Sequence, residues 1–492
     1  MHRSEPKIIP RLFLFFLGVF IFLLFVLLGK EPSSGQEAIR LILGGVLFVW
    51  VLVECRLLPG IASVTSLPRN DEAEGGRSQK KLPKAAVLFF VFCLFQAGRA
   101  VYAGLLLKFG GITAVDTLTR LGLYGAAPLR WASYFAIFFV FYTTALKKSR
   151  ALVIFRVFCW SAFLLALNAL PPLLQLKQDP IYSFAGSSGF FLPFFYHYKW
   201  LGDYIFSYFT HVNIFGDILN LGLFPALGLA LYALHLRTLD KRELLPSDAA
   251  LSKGLPFVLM RLLMAAVIFS AILLVFSRGT MISVTLAGFI FMSGLGWKLF
   301  KKKNLFFLLL VIAGLVLGMA VWAGNLSKAV GEVFTLTNEH GQEGTSSYVN
   351  RRAKEISFAM VHDNKMLGVG LKGYPKFSTR YDSQWKQDSQ EKGYHYAGFN
   401  HYLTILCEEG LIGGSLYFLF LIVWLSEVFW RILTTKSYFK FVAGFSFVCS
   451  VITVLIHSCF NSLMQLYGTA SLVYAAMGIS LGILSKSFQH AE

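Results

Sequence analysis

Residues 256–297 read PFVLMRLLMAAVIFSAILLVFSRGTMISVTLAGFIFMSGLGW, two apolar runs parted only by Ser277-Arg278-Gly279. A helix needs about 20 predominantly apolar residues to cross a bilayer, and each run has that length. Lipid offers no partner to backbone N–H and C=O groups, so each run must pair its own and therefore predicts a spanning helix. The three residues between them leave room for a turn and no more. The same pattern recurs in both directions along the chain. Runs near 11–29, 38–57, 84–107, 128–146, 151–170, 210–236, 304–323, 409–432, 439–459 and 467–485 join the first two. The total is about twelve spans.

Composition agrees. Of 492 residues, 56% are hydrophobic and 14% charged, against about 25% charged in an ordinary soluble domain. So few charges cannot cover a water-soluble surface of this size, which excludes a cytosolic enzyme, a disordered chain and a disulfide scaffold. The 49 Phe residues face lipid cheaply, and the alternating strands of a β-barrel are absent. The expected fold is an all-α integral membrane protein. The first run is too long for a signal-peptide core and lacks a small-residue cleavage site, so it is expected to stay as an uncleaved span. Cys55, Cys93, Cys159, Cys449 and Cys459 lie in apolar runs and Cys407 begins another; none is at metal-ligand spacing, and buried Cys acts as a small hydrophobe.

Lys and Arg gather in alternate connections: Arg69, Arg77, Lys80, Lys81 and Lys84; Lys147, Lys148 and Arg150; Arg237, Lys241, Arg242 and Lys253; Lys298 and Lys301 to Lys303; Arg431, Lys436 and Lys440. By the positive-inside rule these connections and both termini are cytoplasmic. The net charge of +19 is thereby a topology signal spread over short loops, not a nucleic-acid footprint. The polar stretch from Arg69 to Lys84 reads as a cytoplasmic linker. Three stretches fall on the outer side, near 108–127, 171–209 and 324–408. The last is the longest, and long connections usually carry function. The chain is thus read as one integrated unit: an N-terminal membrane bundle over 1–323 with about nine spans, a long outer loop over 324–408 that contains short helices, and C-terminal spans over 409–492.

Two places break the apolar pattern where chemistry could sit. Arg278 lies in the tight turn at the outer face, where a lipid-linked phosphate would lie. An interfacial Arg suggests a site; the plainer account is a guanidinium snorkelling to headgroups. The second place is the outer loop. Ser346-Ser347 reads as a helix N-cap, with Val349, Ala353, Ile356 and Met360 at helical spacing behind it. Arg351 and Arg352 stand on the first turns of that helix. They form either a fork for phosphate oxygens or part of an ordinary surface ion pair with Glu355. Gly368-Val369-Gly370 and Gly373 read as a turn leaving the helix. The loop closes on Tyr394-His395-Tyr396-Ala397-Gly398-Phe399-Asn400-His401-Tyr402-Leu403, followed by Glu408-Glu409-Gly410. His395, His401, Asn400 and Glu408 are material for acid–base work, or for an interfacial aromatic belt. Their spacing matches no strong metal motif, and neither a metal nor another cofactor is expected. Tyr196, His197, Tyr198 and Trp200 in the second outer stretch suit either sugar stacking or the interface.

These motifs, in this order, resemble the O-antigen ligase and polymerase superfamily of membrane proteins. Ser277-Arg278-Gly279 opens a span; an Arg-bearing helix from Asn350 leads to Gly368-Val369-Gly370, Tyr374 and Phe377; Asn400-x-Tyr402-Leu403 precedes Glu408-x-Gly410-x-x-Gly413. His211-x-Asn213 with Leu219 and Pro225 is a weaker fourth match. The resemblance covers roughly residues 205–435. It implies a GT-C-like glycosyltransferase of the bacterial inner membrane, working without metal at the periplasmic side. Its donor would be an undecaprenyl-diphosphate-linked glycan. Its acceptor would be lipid A–core for a ligase, or a second lipid-linked glycan for a polymerase. Arg278 and either Arg351 or Arg352 match the family's diphosphate ligands. The sequence departs from the family at two places. Phe399 stands where the family has the His of His-Asn-x-x-Leu, and Lys365 replaces a Pro common before the Gly-Val-Gly turn.

Overall fold

The computed structural model describes residues 82–109, 114–175, 212–238, 255–274, 278–300, 345–381, 400–461, 464 and 467–488. The expected spans near 11–29, 38–57 and 304–323 lie outside them. Every regular element among the described residues is a helix: α1 (Lys84–Phe109), α2 (Ala114–Thr144), α3 (Lys148–Gln175), α4 (Val212–Thr238), α5 (Leu255–Leu274), α6 (Arg278–Phe300), α7 (Thr345–Asp363), α8 (Tyr374–Ser378), α9 (His401–Thr434), α10 (Tyr438–His457) and α11 (Tyr467–Ile483). Among the described residues, six helices are long and apolar enough to cross a membrane, and Val258–Leu273 and Gly468–Ile483 form shorter apolar helices. All-helical architecture, read from the apolar runs, is what the described residues adopt, with the length and apolar character that membrane spans need.

Three boundaries differ from the sequence reading. Helix α2 starts at Ala114 and carries Pro128 inside it, within the stretch expected to be an outer loop. Hydropathy falls there because of Asp116, Thr117 and Arg120, whereas a helix needs only its backbone bonds, and membrane helices tolerate a proline when neighbours serve the freed groups. Helix α9 starts at His401, ahead of the apolar run, because Asn400 caps it: Asn400 Oδ1 accepts from Leu403 N at 3.0 Å. Helix α7 starts at Thr345, so Ser346 and Ser347 stand in its first turn instead of ahead of it.

Packing follows from what lipid cannot supply. Apolar side chains gain little by leaving lipid for one another, so close contact and hydrogen bonds hold the helices together. Helix α2 packs on α1 and α11, α4 on α3, α5 and α10, α6 on α10, and α9 on α1. Gly478 and Gly482 of α11 lie directly on the Phe138 and Tyr142 carbonyls of α2, with no space for a side chain. Phe89 of α1 collects rings from three other helices, with centroids 5.8 Å from Phe138, 4.6 Å from Phe420 and 5.1 Å from Tyr474. Val101, Leu263, Phe289, Ile422 and Trp430 point outward and are more than half exposed, the reverse of a soluble surface and suited to acyl chains.

The two ends of the bundle differ in chemistry. At one end, cationic side chains complement helix C-termini, where carbonyls lack partners. Lys298 Nζ donates to Thr435 O at 2.6 Å, Lys440 Nζ to Ser485 O at 3.0 Å and Arg431 Nη1 to Leu481 O at 3.2 Å. Glu427 accepts from Lys84 N and Ala85 N at the start of α1. The opposite end holds the starts of α4, α6 and α9 and the finish of α10, and the residues of interest cluster there.

Candidate functional site

The site begins with a broken helix. Gly410 interrupts α9 with φ 68° and ψ −173°, a conformation that is essentially glycine-only. The break strips carbonyls and N–H groups of their helical partners, which is costly inside a membrane protein. The turn after α7 replaces them. Val369 N donates to Cys407 O and Gly370 N to Glu408 O, both at 2.9 Å. In return, Leu411 N donates to Lys365 O at 2.7 Å and Ile412 N to Met366 O at 3.3 Å. Gly368 (φ 68°) and Gly370 (φ 96°) give the turn the left-handed backbone this pairing needs. Tyr124 Oη adds a bond to Gly368 O at 2.8 Å, and Tyr374 N donates to Glu408 Oε1 at 3.3 Å.

This pairing ties the Arg-bearing helix to the bundle. Ala353, Ile356 and Met360 of α7 bury against Leu123, Val369, Tyr374, Phe377 and Cys407, as their helical spacing predicted. Tyr374 Oη donates to Ala353 O at 3.1 Å, and burial holds that phenol above its usual range. Arg352 stands on the outer side of α7, with Nη1 3.0 Å from Glu355 Oε2. The ion pair with Glu355 is thus made by Arg352, three residues before it, since positions three and four apart are both neighbours on a helix.

Behind the break lies a buried ionic cluster. Glu409 pairs with Arg99 of α1, and both side chains are almost wholly buried. Glu409 also accepts from Gln96 Nε2 at 2.7 Å and Trp131 Nε1 at 3.3 Å, while Arg99 Nη2 donates to Glu408 O at 2.9 Å. Arg130 of α2, with Nε on Tyr134 Oη at 2.9 Å, lies within electrostatic reach of His401 and Glu408. Glu408, proposed from sequence for acid–base work, is buried as a tether for Tyr374.

The start of α9 rests on the finish of α10. His401 N donates to Ser458 O at 3.0 Å and to Asn461 O at 3.2 Å, and Asn400 Nδ2 donates to Cys459 O at 2.8 Å. Asn400 thus has both side-chain atoms committed to holding the helix ends. His401 turns inward, with Nε2 3.1 Å from Tyr417 Oη and Nδ1 without a partner among the described residues. The last residue of α10, His457, sets Nδ1 2.6 Å from Asp217 Oδ1 of α4. Gly279 of α6 lies on the same imidazole: a Cβ there would sit 2.5 Å from His457 Cδ2 and Nε2. Gly216 lies as tightly on Thr280. The beginnings of α4 and α6 are therefore drawn onto the last turn of α10.

The structure brings Gly279, and so the first turn that Arg278 opens, to the helix ends that carry Asn400 and His401; Glu408 joins the α7 turn two helical turns further down α9. His395 and Phe399 lie outside the described residues. Asp217, His457, Arg99, Arg130 and Glu409 were not singled out from the sequence. The signal that could have found them is the one Arg278 carries: an ionisable residue within an apolar run is by default a functional candidate.

Residues 263–418 match a family model described as O-antigen ligase. A search of curated proteins finds no match. The matched segment contains Arg278, Gly279, α7, the Gly-Val-Gly turn and the broken start of α9. Asp217 and His457 fall outside it.

Proposed function

We propose that this chain, which belongs to the O-antigen ligase superfamily through residues 263–418, transfers a glycan from undecaprenyl diphosphate to a sugar hydroxyl at the periplasmic face of the bacterial inner membrane. The acceptor in this reading is lipid A–core, so the product is completed lipopolysaccharide. Superfamily membership carries a glycosyl-transfer type of chemistry; the donor, the acceptor and the face are the finer assignments made here. The observation that supports them most is the docking of the Gly368–Gly370 turn into the break at Gly410. It fixes the arginine-bearing helix α7 to the first turns of α9, whose start rests on the same end of α10 as the start of α6.

Diphosphate is already a good leaving group, so the protein's work is to neutralise charge as it departs and to align the acceptor. Arg278 and one of Arg351 and Arg352 supply guanidinium groups for the diphosphate oxygens. The N-terminus of α6 adds backbone N–H groups and the positive end of its dipole. No metal is called for by that division of labour. The reading places about twelve spans in the membrane in a GT-C-like arrangement, with both termini cytoplasmic, and keeps the division into 1–323, 324–408 and 409–492.

The test is the lipopolysaccharide gel profile of a strain lacking the gene, complemented with wild type or with Arg278→Ala. Core without attached glycan in the deletion and in the variant, with long glycan accumulating on undecaprenyl diphosphate, is the expected result. Single repeats on the core would instead make the chain a polymerase, and an unchanged profile would overturn the proposal.

A further inference from the structure

We propose that His457, oriented by Asp217, takes the proton from the acceptor hydroxyl, so that the base of this transferase sits on α10 and not in the outer loop. The assignment rests on the transfer reading above. With Phe399 where the family pattern has a histidine, the outer loop offers His340, His362, His395 and His401. Of these, His401 is turned inward to Tyr417.

The geometry around His457 is that of a prepared base. Asp217 Oδ1, 2.6 Å from Nδ1, accepts the proton on that nitrogen and so leaves the Nε2 lone pair free. Nε2 has no hydrogen-bond partner among the described residues and faces the first turn of α6, one residue on from Arg278. Only glycine fits at 279, since a Cβ would strike Nε2 and Cδ2; the glycine of the Ser-Arg-Gly motif is there to admit this imidazole.

A second observation points to a ligand. Asn220 lies one helical turn beyond Asp217 on α4, is 0% exposed, and has neither Oδ1 nor Nδ2 paired among the described residues, where Asp217 Oδ2 is unpaired as well. An unserved amide in an apolar bundle is costly, and such groups call for a functional explanation. These three unserved polar atoms lie within one turn of α4 at the residue that holds His457, and they are groups that sugar hydroxyls would serve. The contrast is His362, which also has an Asp neighbour but is 74% exposed on α7.

In the step, the acceptor O–H gives its proton to His457 Nε2, and the oxygen's electron pair forms a bond to the anomeric carbon of the donor. The bond from that carbon to the diphosphate oxygen breaks, and its electron pair leaves with undecaprenyl diphosphate. The imidazolium, paired with Asp217, then returns its proton to the diphosphate. His457 is only 1% exposed, so the first turn of α6 must move off it to admit the acceptor. Until then water, the nucleophile that would waste the donor, is kept out.

The experiment uses the full chain in nanodiscs, with undecaprenyl-diphosphate-linked O-antigen as donor and lipid A–core as acceptor, and initial rates from about pH 5 to about pH 9. His457→Gln is expected to lose about 10²–10⁴-fold in rate while still binding donor, and to lose the acidic limb of the wild-type kcat/KM profile. Asp217→Asn is expected to keep the fold, lower the rate and displace that limb. His362→Gln should match wild type. If His457→Gln stays within threefold of wild type, or Asp217→Asn leaves the limb in place, the assignment is wrong while the transfer reading stands. If wild type itself transfers nothing, both fall.

Discussion

Replacing Gly410 by alanine sets the backbone of α9 against a side chain at the point where the helix is broken. At φ 68° and ψ −173° a residue bearing a Cβ costs about 1–3 kcal/mol. The added atom would lie 2.5 Å from Met366 C and 2.6 Å from Gly368 N, closer than Cβ atoms approach backbone, so the turn must also retreat. Retreat weakens the bonds that Val369 N, Gly370 N, Leu411 N and Ile412 N make across the break, each contributing about 0.5–1.5 kcal/mol. Even partial loss brings the total to about 3–6 kcal/mol, a large fraction of a typical folding free energy of about 5–15 kcal/mol. The assay is thermal or denaturant unfolding in detergent, with limited proteolysis of the loop before and after α7. Gly288→Ala is the control. It lies in α6 with nothing within 4 Å of a Cβ, and alanine there should be neutral or stabilising by up to about 1 kcal/mol. Should Gly410→Ala unfold with Gly288→Ala and resist protease equally, the break is not what holds α7.

Three other substitutions separate the roles of the neighbouring residues. Glu409→Ala leaves Arg99 charged and buried, which costs about 3–5 kcal/mol; adding Arg99→Met should recover most of that in the same unfolding assay, and no recovery would refute the pairing as the cause. Arg352→Ala removes a half-exposed ion pair contributing less than about 1 kcal/mol, so unfolding should barely shift while transfer from lipid-linked donor falls; unchanged transfer would take Arg352 out of the diphosphate site. Asn400→Ala should cost about 1 kcal/mol for the lost cap, and Asn400→Asp should restore that part, because the carboxylate still accepts from Leu403 N, though it cannot donate to Cys459 O.

How far the sequence could lead depended on the kind of feature. Spanning helices were legible because lipid imposes one rule on every apolar run, and α1, α3, α4, α6, α9 and α10 obey it. The apolar stripe of α7 was legible for the same reason: Ala353, Ile356 and Met360 recur at the helical period and are buried. Breaks in rules were harder. The Gly368-Val369-Gly370 turn could be recognised as a turn, but its partner could not, since nothing local says that Gly410 would leave the helix and expose its carbonyls to that turn. Starts and stops also escaped: Asn400 reads as candidate chemistry until its amide is seen bridging Leu403 N and Cys459 O.

The polar residues within the spans teach the more general point. Arg99 and Glu409 come from helices far apart in the chain, and a single-span reading gives each a heavy desolvation cost with no reason to accept it. Paired, and joined by Gln96 and Trp131, they fix the register of α9 against α1 and α2, because a shift of one residue would strand both charges. That register determines where the break at Gly410 meets the α7 turn. It also sets the height at which His401 begins α9 against Ser458 and Asn461, immediately after His457. The buried ion pair therefore places two parts of the proposed site while taking no part in the transfer itself. A registry role of this kind separates from a catalytic one by experiment: the Arg99→Met, Glu409→Leu double variant should keep the shape of the pH–rate profile even where its rate is reduced, whereas a change confined to His457 should alter that shape.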